Sequence, residues 1–243
     1  MAAFTNNSRS YGGVMDTFDS SFRITDCTFT NNSATYNGGI MATAESSFNI
    51  TSSTFTNNIA ACTSGVMATN ESLFNITGSI FTNNNAAYTG GVMATSESSI
   101  DITNNTFTKN NAAYAGGVIA ANESSFDITN GTFNNNSVGR GGVMYTSESN
   151  FDITNSTFTK NSAAVDEDMG TSTNNSAPYG GVIDITESSL KITNNSAGYG
   201  GVVMALSESS LSITNSTFTN NSASRGGVMA TSESSFDYQQ RIY

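Results

Sequence analysis

A Gly-Gly pair followed by Val or Ile recurs along this chain and constrains its fold more than any other feature. The pair begins at Gly12, Gly38, Gly90, Gly116, Gly141, Gly180, Gly200 and Gly226, and Ser64-Gly65-Val66 fills the one gap in the series. Most successive copies are about 26 residues apart. A period of this size is typical of solenoids, in which each unit buries its apolar face only against its neighbours.

The unit that begins at Gly90 shows which kind of solenoid to expect. Apolar residues alternate with polar ones at Ile100 and Ile102 and again around Phe107, and no apolar stripe has helical spacing. A third strand is predicted to begin at the glycine pair with the β-branched Val92. Three short strands per unit, separated by Ser, Asn and Gly corners, predict an all-β right-handed parallel β-helix of about nine coils.

The asparagine that follows each phenylalanine strand has the same period. A stack of coils would place these side chains in one column, where they can form a ladder of mutual hydrogen bonds. The predicted ladder contains Asn32, Asn58, Asn84, Asn110, Asn136, Asn161 and Asn221.

The repeat covers the whole chain and predicts one solenoid over residues 1–243. Residues 165–177 interrupt a corner and are predicted to form an extruded loop, and residues 180–199 form a coil that is about one strand short. Neither end has the polar cap that solenoids need for solubility. We therefore expect a piece of a longer protein or a protein that stacks end to end.

Charge and composition exclude several classes of function. The net charge is −11, from 19 acidic and 8 basic side chains, so neither nucleic-acid binding nor a polybasic membrane surface is expected. There is no His, which removes Ser-His-Asp and Cys-His catalysis. No apolar run has the length of a transmembrane segment, and no cofactor is expected. Cys27 and Cys62 are predicted to be free thiols because they lie in different columns.

The sequence FTNN, FTKN or FNNN followed by GGVM or GGVI resembles the FxxN and GGA[ILV] repeats of the polymorphic outer-membrane proteins of chlamydiae. The resemblance implies an autotransporter-like β-helix displayed at the cell surface, with an extracellular location and an adhesive role toward a host-cell or matrix ligand. Val stands here in place of Ala in the glycine signature, and neither a secretion signal nor a membrane barrel is present in this chain.

Acidic residues supply the candidate catalytic and metal sites. Asp101, Asp127 and Asp152 share one column, where stacked carboxylates would be ~5 Å apart, the separation that retaining glycosidases use. Because Asn, Lys and Ser occupy the same column in other coils, a solvated strand face is the favoured interpretation. Two weaker candidates for Ca²⁺ are the loop residues Asp166, Glu167 and Asp168 and the acidic ladder Glu45, Glu71, Glu97, Glu123 and Glu148.

Two further columns suggest binding surfaces. Thr-x-Thr pairs such as Thr106 and Thr108 repeat on the phenylalanine strand, a pattern also found in ice-binding solenoids. Tyr36, Tyr88 and Tyr114 form a column in which Cys62 occupies the remaining place, and we expect either corner packing or a stacking platform. Together with the resemblance to the polymorphic outer-membrane repeats, which implies adhesion, the sequence predicts a non-enzymatic surface or structural scaffold that is adhesive. The alternatives are a polysaccharide-acting β-helix enzyme and an ice-binding solenoid.

Overall fold

The computed structural model describes residues 1–140, 143–163, 183–186, 189–193, 196–198, 204–207, 209–214, 217–219 and 229–239. Every helix or strand within these ranges is a β-strand. The described residues contain no helix, and so none that is long and apolar enough to cross a membrane.

The strands belong to four parallel sheets, here named A to D in the order in which the chain first visits them. Sheet A contains β1 (Ala2–Thr5), β5 (Cys27–Thr30), β9 (Thr54–Thr56), β13 (Ile80–Thr82), β17 (Thr106–Thr108), β21 (Thr132–Asn134), β25 (Thr157–Thr159), β29 (Ser196–Gly198) and β32 (Thr217–Thr219). Sheet B contains β2 (Ser8–Arg9), β6 (Ser33–Ala34), β10 (Ile59–Ala60), β14 (Asn85–Ala86), β18 (Asn111–Ala115), β22 (Ser137–Arg140) and β26 (Ser162–Ala163). Sheet C contains β3 (Met15–Phe18), β7 (Met41–Ala44), β11 (Met67–Asn70), β15 (Met93–Ser96), β19 (Ile119–Asn122), β23 (Met144–Ser147), β27 (Ile183–Thr186), β30 (Met204–Ser207) and β33 (Met229–Ser232). Sheet D contains β4 (Ser21–Thr25), β8 (Ser47–Thr51), β12 (Leu73–Thr77), β16 (Ser99–Thr103), β20 (Ser125–Thr129), β24 (Asn150–Thr154), β28 (Ser189–Thr193), β31 (Ser210–Thr214) and β34 (Ser235–Gln239).

Each strand pairs with the equivalent strand of the next coil, so the chain is a solenoid. Phe81 is in register with Phe55 on one side and with Phe107 on the other. This arrangement confirms the predicted all-β parallel fold with about 26 residues per turn. The solenoid has about six turns rather than the nine coils predicted, although strands from the later coils extend sheets A, C and D.

Two details of the predicted coil are wrong. Each regular coil has four strands instead of three, because a short strand such as β10 or β14 lies between the asparagine ladder and the glycine corner. Two residues are too few to show an alternating pattern in the sequence. The sheet C strand also begins one residue later than predicted, at Met93, because Val92 is still part of the corner, where it is fully buried.

The core of the rod consists of apolar columns that run parallel to its axis. Phe55, Phe81 and Phe107 are fully buried, and successive ring centroids are 4.7 and 4.9 Å apart with nearly parallel planes. Burying one such side chain contributes roughly 1.5–3 kcal/mol, and ring stacking adds to it. Sheets C and D contribute Met and Ile columns to the same cluster.

The predicted asparagine ladder is confirmed as far as Asn161. In a typical step, the backbone N–H and Nδ2 of Asn84 both donate to Oδ1 of Asn110, each at 3.0 Å. Nδ2 of Asn84 also donates to the carbonyl of Phe55, and Oδ1 of Asn84 accepts two hydrogen bonds from Asn58. Asn84 is fully buried, and its amide group is nevertheless saturated with partners.

Serine ladders occur at two other corners. Between sheets C and D, the backbone N–H of Ser72 donates to Oγ of Ser98, and Oγ of Ser72 donates to the carbonyl two residues earlier. Between sheets D and A, the N–H of Ser53 donates to Oγ of Ser79. Small buried hydroxyls thus supply the hydrogen bonds that the turning backbone loses from the sheets.

The glycine corner requires glycine because the backbone approaches itself closely. Gly38 has a φ of +63°, and a Cβ placed there would lie 1.8 Å from the carbonyl oxygen of Met41. The one exception among the described copies is Ser64, which has a φ of 57° and whose hydroxyl oxygen lies within hydrogen-bonding distance of the carbonyls of Met67 and Val92, to one of which it donates its single proton.

The two irregular segments predicted from the sequence are only partly described. The extruded loop, residues 165–177, lies outside the described residues. The short coil is described at β27, β28 and β29, where Ala197 takes the register position that Phe158 has in the preceding coil. Alanine therefore stands in the short coil where the preceding coil has the phenylalanine of the sheet A column.

Candidate functional site

The aspartate column lies on the outer face of sheet D, as predicted. Asp101 is in register with Asp127, which is in register with Asp152. Asp101 and Asp127 are exposed and Asp152 is half-buried. In the preceding coils Asn75 and Asn49 hold the same place, and their side chains are hydrogen-bonded to each other. The column is a solvated face with changing polar residues, which is the interpretation that the sequence favoured.

The acidic ladder lies at the corner between sheets C and D. Glu45, Glu71, Glu97 and Glu123 have φ values of 46–49° and exposed side chains, and each backbone N–H donates to a carbonyl of the next coil. Across all described residues, no three His, Cys, Asp or Glu side chains come together so as to hold a metal ion. A calcium site formed by the ladder stays a prediction. Asp166, Glu167 and Asp168 lie outside the described residues.

The threonine array lies on the outer face of sheet A. Thr54 is in register with Thr28, and Thr106 is in register with Thr132, so the two-column pattern is preserved across coils. Ile80 and Asn134 interrupt it.

A shallow trough lies on the outer face of sheet C. Its floor is a column of half-buried alanines, Ala42, Ala68 and Ala94, that are in register in successive coils. Asn37 and Thr63 line the trough on one side, and Asn70 and Ser96 on the other. We call this surface the alanine trough. Its volume is about 440 Å³.

The floor column continues at both ends into larger side chains. Asp16 is in register with Ala42, and Ala120, which follows Ala94, is in register with Tyr145. Five coil steps of ~4.8 Å separate Asp16 from Tyr145, a length of about 24 Å. Asp16 is the only acidic residue among the residues that line the trough, and none of them is basic.

The trough was not predicted from the sequence. The sequence does contain a signal for it, because Ala occupies the same repeat position in four consecutive coils, directly after Met or Ile. A small side chain on an outward-facing strand position has no role in the core, so a row of them indicates a surface depression. The missing information was which neighbouring columns rise above the alanines.

The tyrosine column is exposed and stacked. The rings of Tyr11 and Tyr36 are 5.1 Å apart and those of Tyr88 and Tyr114 are 5.0 Å apart, and all four side chains are about half exposed. Cys62 lies between the two pairs as a half-buried free thiol. Cys27 is also free and packs against the core from β5.

Comparison with known proteins gives a family and little else. The sequence profile of the family described as "Right handed beta helix region" matches residues 3–133 and 90–240. A search of curated proteins found none with significant similarity. Among solved structures, a TibC-catalysed hyperglycosylated fragment of TibA aligns with 98% of this chain and 100% of its own at 12% identity. The TM-score of 0.15 is too low for that alignment to support any argument.

Proposed function

This chain belongs to the right-handed β-helix family, and from that premise we propose that it is a non-enzymatic scaffold, displayed at the cell surface or outside the cell, that adheres to an extended host-cell or matrix ligand. The alanine trough is the observation that carries the proposal. It offers the same small floor residue at equal steps along the rod, and repeated weak contacts along one ligand reinforce each other through effective concentration.

The charge of the trough defines the class of ligand. Its lining contains one acidic side chain and no basic one, and the chain as a whole has a net charge of −11. A polyanion would be repelled by this charge and would find no Lys or Arg. The favoured ligand is an extended neutral or cationic chain, held by the amides and hydroxyls of Asn37, Thr63 and Asn70.

The lack of a carboxylate pair in the trough favours binding over hydrolysis. Glycosidases use two carboxyl groups on opposite sides of the scissile bond. Asp16 is the only carboxylate in the trough lining, whereas Asp101 and Asp127 belong to sheet D. A polysaccharide bound along the alanines would not meet two acids there.

The test compares variants that fill the trough with variants that do not. Beads coated with wild type, Ala68→Trp or Ala113→Trp are washed over collagen, laminin, fibronectin and neutral glycan surfaces. Ala113 is an exposed alanine on β18, so Ala113→Trp controls for an added indole outside the trough. We expect wild type and Ala113→Trp to be retained on at least one surface and Ala68→Trp to be lost from it. Equal retention of all three, or release of reducing ends from the glycans, would contradict the proposal.

Ice binding is a second candidate, favoured by the in-register threonines of sheet A. Their spacings of ~4.8 Å between coils and ~7 Å along a strand form a regular two-dimensional array. If the array binds ice, wild type will show thermal hysteresis that Thr108→Lys abolishes and that Asn75→Lys, on sheet D, leaves intact. Absence of hysteresis in wild type excludes this candidate.

A further inference from the structure

The stacked tyrosines are interrupted at one coil, and the interruption leaves two ring faces opposite each other. Cys62 occupies the place equivalent to Tyr36 and Tyr88: the N–H of Tyr88 donates to the Cys62 carbonyl at 2.8 Å, and Thr63 is bridged to Asn37. One face of Tyr36 is covered by Tyr11, and one face of Tyr88 by Tyr114. In the described part of the chain, no ring pairs with either tyrosine on the Cys62 side.

The width of this gap corresponds to one missing ring. Tyr36 and Tyr88 are separated by two coil steps of ~4.8 Å, which is about 10 Å. Ring centroids in the stacked columns of this protein are 4.5–5.1 Å apart, the spacing of offset stacking. A ring placed midway would therefore stack on both tyrosines at the distance that their other faces already use.

The gap is open to solvent. Tyr36 is 50% exposed and Tyr88 is 51% exposed, and the neighbouring Ala61 and Ala87 are exposed small residues. No acidic or basic residue lies within two positions of Cys62 in the sequence.

We propose that this gap is a binding slot for a single neutral, planar aromatic ring, sandwiched between Tyr36 and Tyr88. The Cys62 side chain forms the floor, and its small size creates the slot. The thiol takes no part in recognition, but it provides a reporter at the bottom of the site. A ring bound there is held by two stacking contacts, whereas a saturated ring of the same size has no π-system with which to make them.

The test uses paired thiol reagents in the full chain carrying Cys27→Ser, so that Cys62 is the only cysteine. The rate of labelling is measured with N-phenylmaleimide and with N-cyclohexylmaleimide, whose rings differ in aromaticity but little in size. N-acetylcysteine gives the intrinsic ratio of the two rates. We expect the phenyl-to-cyclohexyl ratio at Cys62 to exceed that reference by at least about fivefold, because stacking on two rings favours the planar reagent.

Three tyrosine variants then test whether the preference of Cys62 for the phenyl reagent comes from Tyr36 and Tyr88. Tyr36→Leu and Tyr88→Leu each remove one wall of the slot, and each should bring the ratio down toward the reference. Tyr114→Leu removes a ring of the same column outside the slot and should leave the ratio high. Circular dichroism of each variant verifies that the rod is folded.

Reversible binding experiments distinguish a free aromatic compound from the aromatic side chain of a partner as the source of the bound ring. Phenol represents a free aromatic compound, and N-acetyltyrosinamide represents an aromatic side chain of a partner. Protection of Cys62 from N-methylmaleimide by both compounds would indicate recognition of the ring alone, whereas protection only by N-acetyltyrosinamide would indicate a peptide source. The proposal is overturned if Cys62 does not react, if its ratio equals that of N-acetylcysteine, or if Tyr114→Leu lowers the ratio as much as Tyr36→Leu.

Discussion

At the scale of single residues, the corners of the rod are built from pairs of neighbours with different tasks. The first member, such as Asn83 or Glu97, has a positive φ that turns the chain and leaves its side chain exposed. The second member, Asn84 or Ser98, is buried and continues a hydrogen-bonded ladder. The same order recurs at three corners of the coil, so it is a design rule of this solenoid.

Replacing Asn84 by Asp tests the ladder. The substitution keeps the shape of the side chain but removes the Nδ2 donor that serves Phe55 and Asn110, and it buries a carboxylate. We expect a loss of more than about 3 kcal/mol in the free energy of unfolding from urea titration at neutral pH. Asn83→Asp changes the exposed neighbour, where Asp tolerates the positive φ, and should cost less than about 1 kcal/mol. Equal losses would show that the ladder hydrogen bonds do not stabilise the fold.

Replacing Glu97 by Asn tests the turning residue. Glu97 has a φ of 48°, a conformation that Asn adopts more readily than Glu. We expect Glu97→Asn to raise the free energy of unfolding by about 0.5–1 kcal/mol. Glu97→Gln removes the same charge but retains a long side chain at positive φ, so it should raise the stability less. If both variants are stabilised equally, relief of charge repulsion within the acidic ladder is the cause instead of backbone conformation.

The asparagine ladder could be predicted from the sequence, whereas the serine ladders could not. Its prediction rests on the amide group, which can donate a hydrogen bond to the next asparagine of a column and accept one from the previous asparagine. The serine ladders were missed, since Ser98 and Ser99 look alike in the sequence although one is buried and the other exposed. Only the geometry of the corner decides which hydroxyl points inward.

At the scale of strands, alternation between inward and outward side chains determines what each position contributes. On β17, Phe107 is fully buried between two stacked rings, whereas Thr106 and Thr108 are half-buried on the outer face. This parity is what the period-2 pattern of the sequence indicated. The two-residue strands of sheet B were not predicted, because two residues are too few to show alternation. The alanine trough was not predicted, because the sequence does not show which neighbouring columns rise above the alanines.

Alanine substitutions on β17 measure the parity directly. Phe107→Ala removes a ring from the middle of the buried stack and should lower the free energy of unfolding by about 3–5 kcal/mol. Thr106→Ala acts on the outer face and should cost well under about 1 kcal/mol. Similar shifts in the urea midpoint would mean that the assigned faces of the strand are wrong.

Two glycines with the same backbone conformation separate steric contact from strain. Gly90 and Gly78 have φ values of +63° and +58°, but a Cβ on Gly90 would lie 2.1 Å from the Met93 oxygen, whereas a Cβ on Gly78 would meet nothing within 4 Å. Gly78→Ala should therefore cost only about 1–2 kcal/mol, as expected for alanine at positive φ. Gly90→Ala should cost clearly more, measured by thermal or urea unfolding of both variants. A larger loss for Gly78→Ala would contradict the close approach at the glycine corner.

At the scale of the whole molecule, the properties of the rod depend on contacts between each coil and its two neighbours. Stability, the aromatic columns and the multivalent outer faces all depend on coils that stack in register at one constant rise. The repeat predicted this architecture because few other folds satisfy a 26-residue period with period-2 strands. The proposed binding sites are harder to predict, since they lie where the repeat is broken, as at Cys62, or where a small residue lowers one column below its neighbours.

Distances between spin labels placed on one column of sheet D test the stacking of coils most directly. Thr25, Thr129 and Thr154 occupy the same strand position, four and five coil steps apart along the rod. Cysteine pairs are introduced at positions 25 and 129 and at positions 25 and 154, with Cys27 and Cys62 replaced by Ser, and each pair is spin-labelled. The distance between the two labels is measured by pulsed electron paramagnetic resonance. At ~4.8 Å per coil, we predict narrow distributions near 19 and 24 Å that differ by one coil rise. Broad distributions, or a separation that does not increase by about 5 Å between the two pairs, would contradict the in-register solenoid.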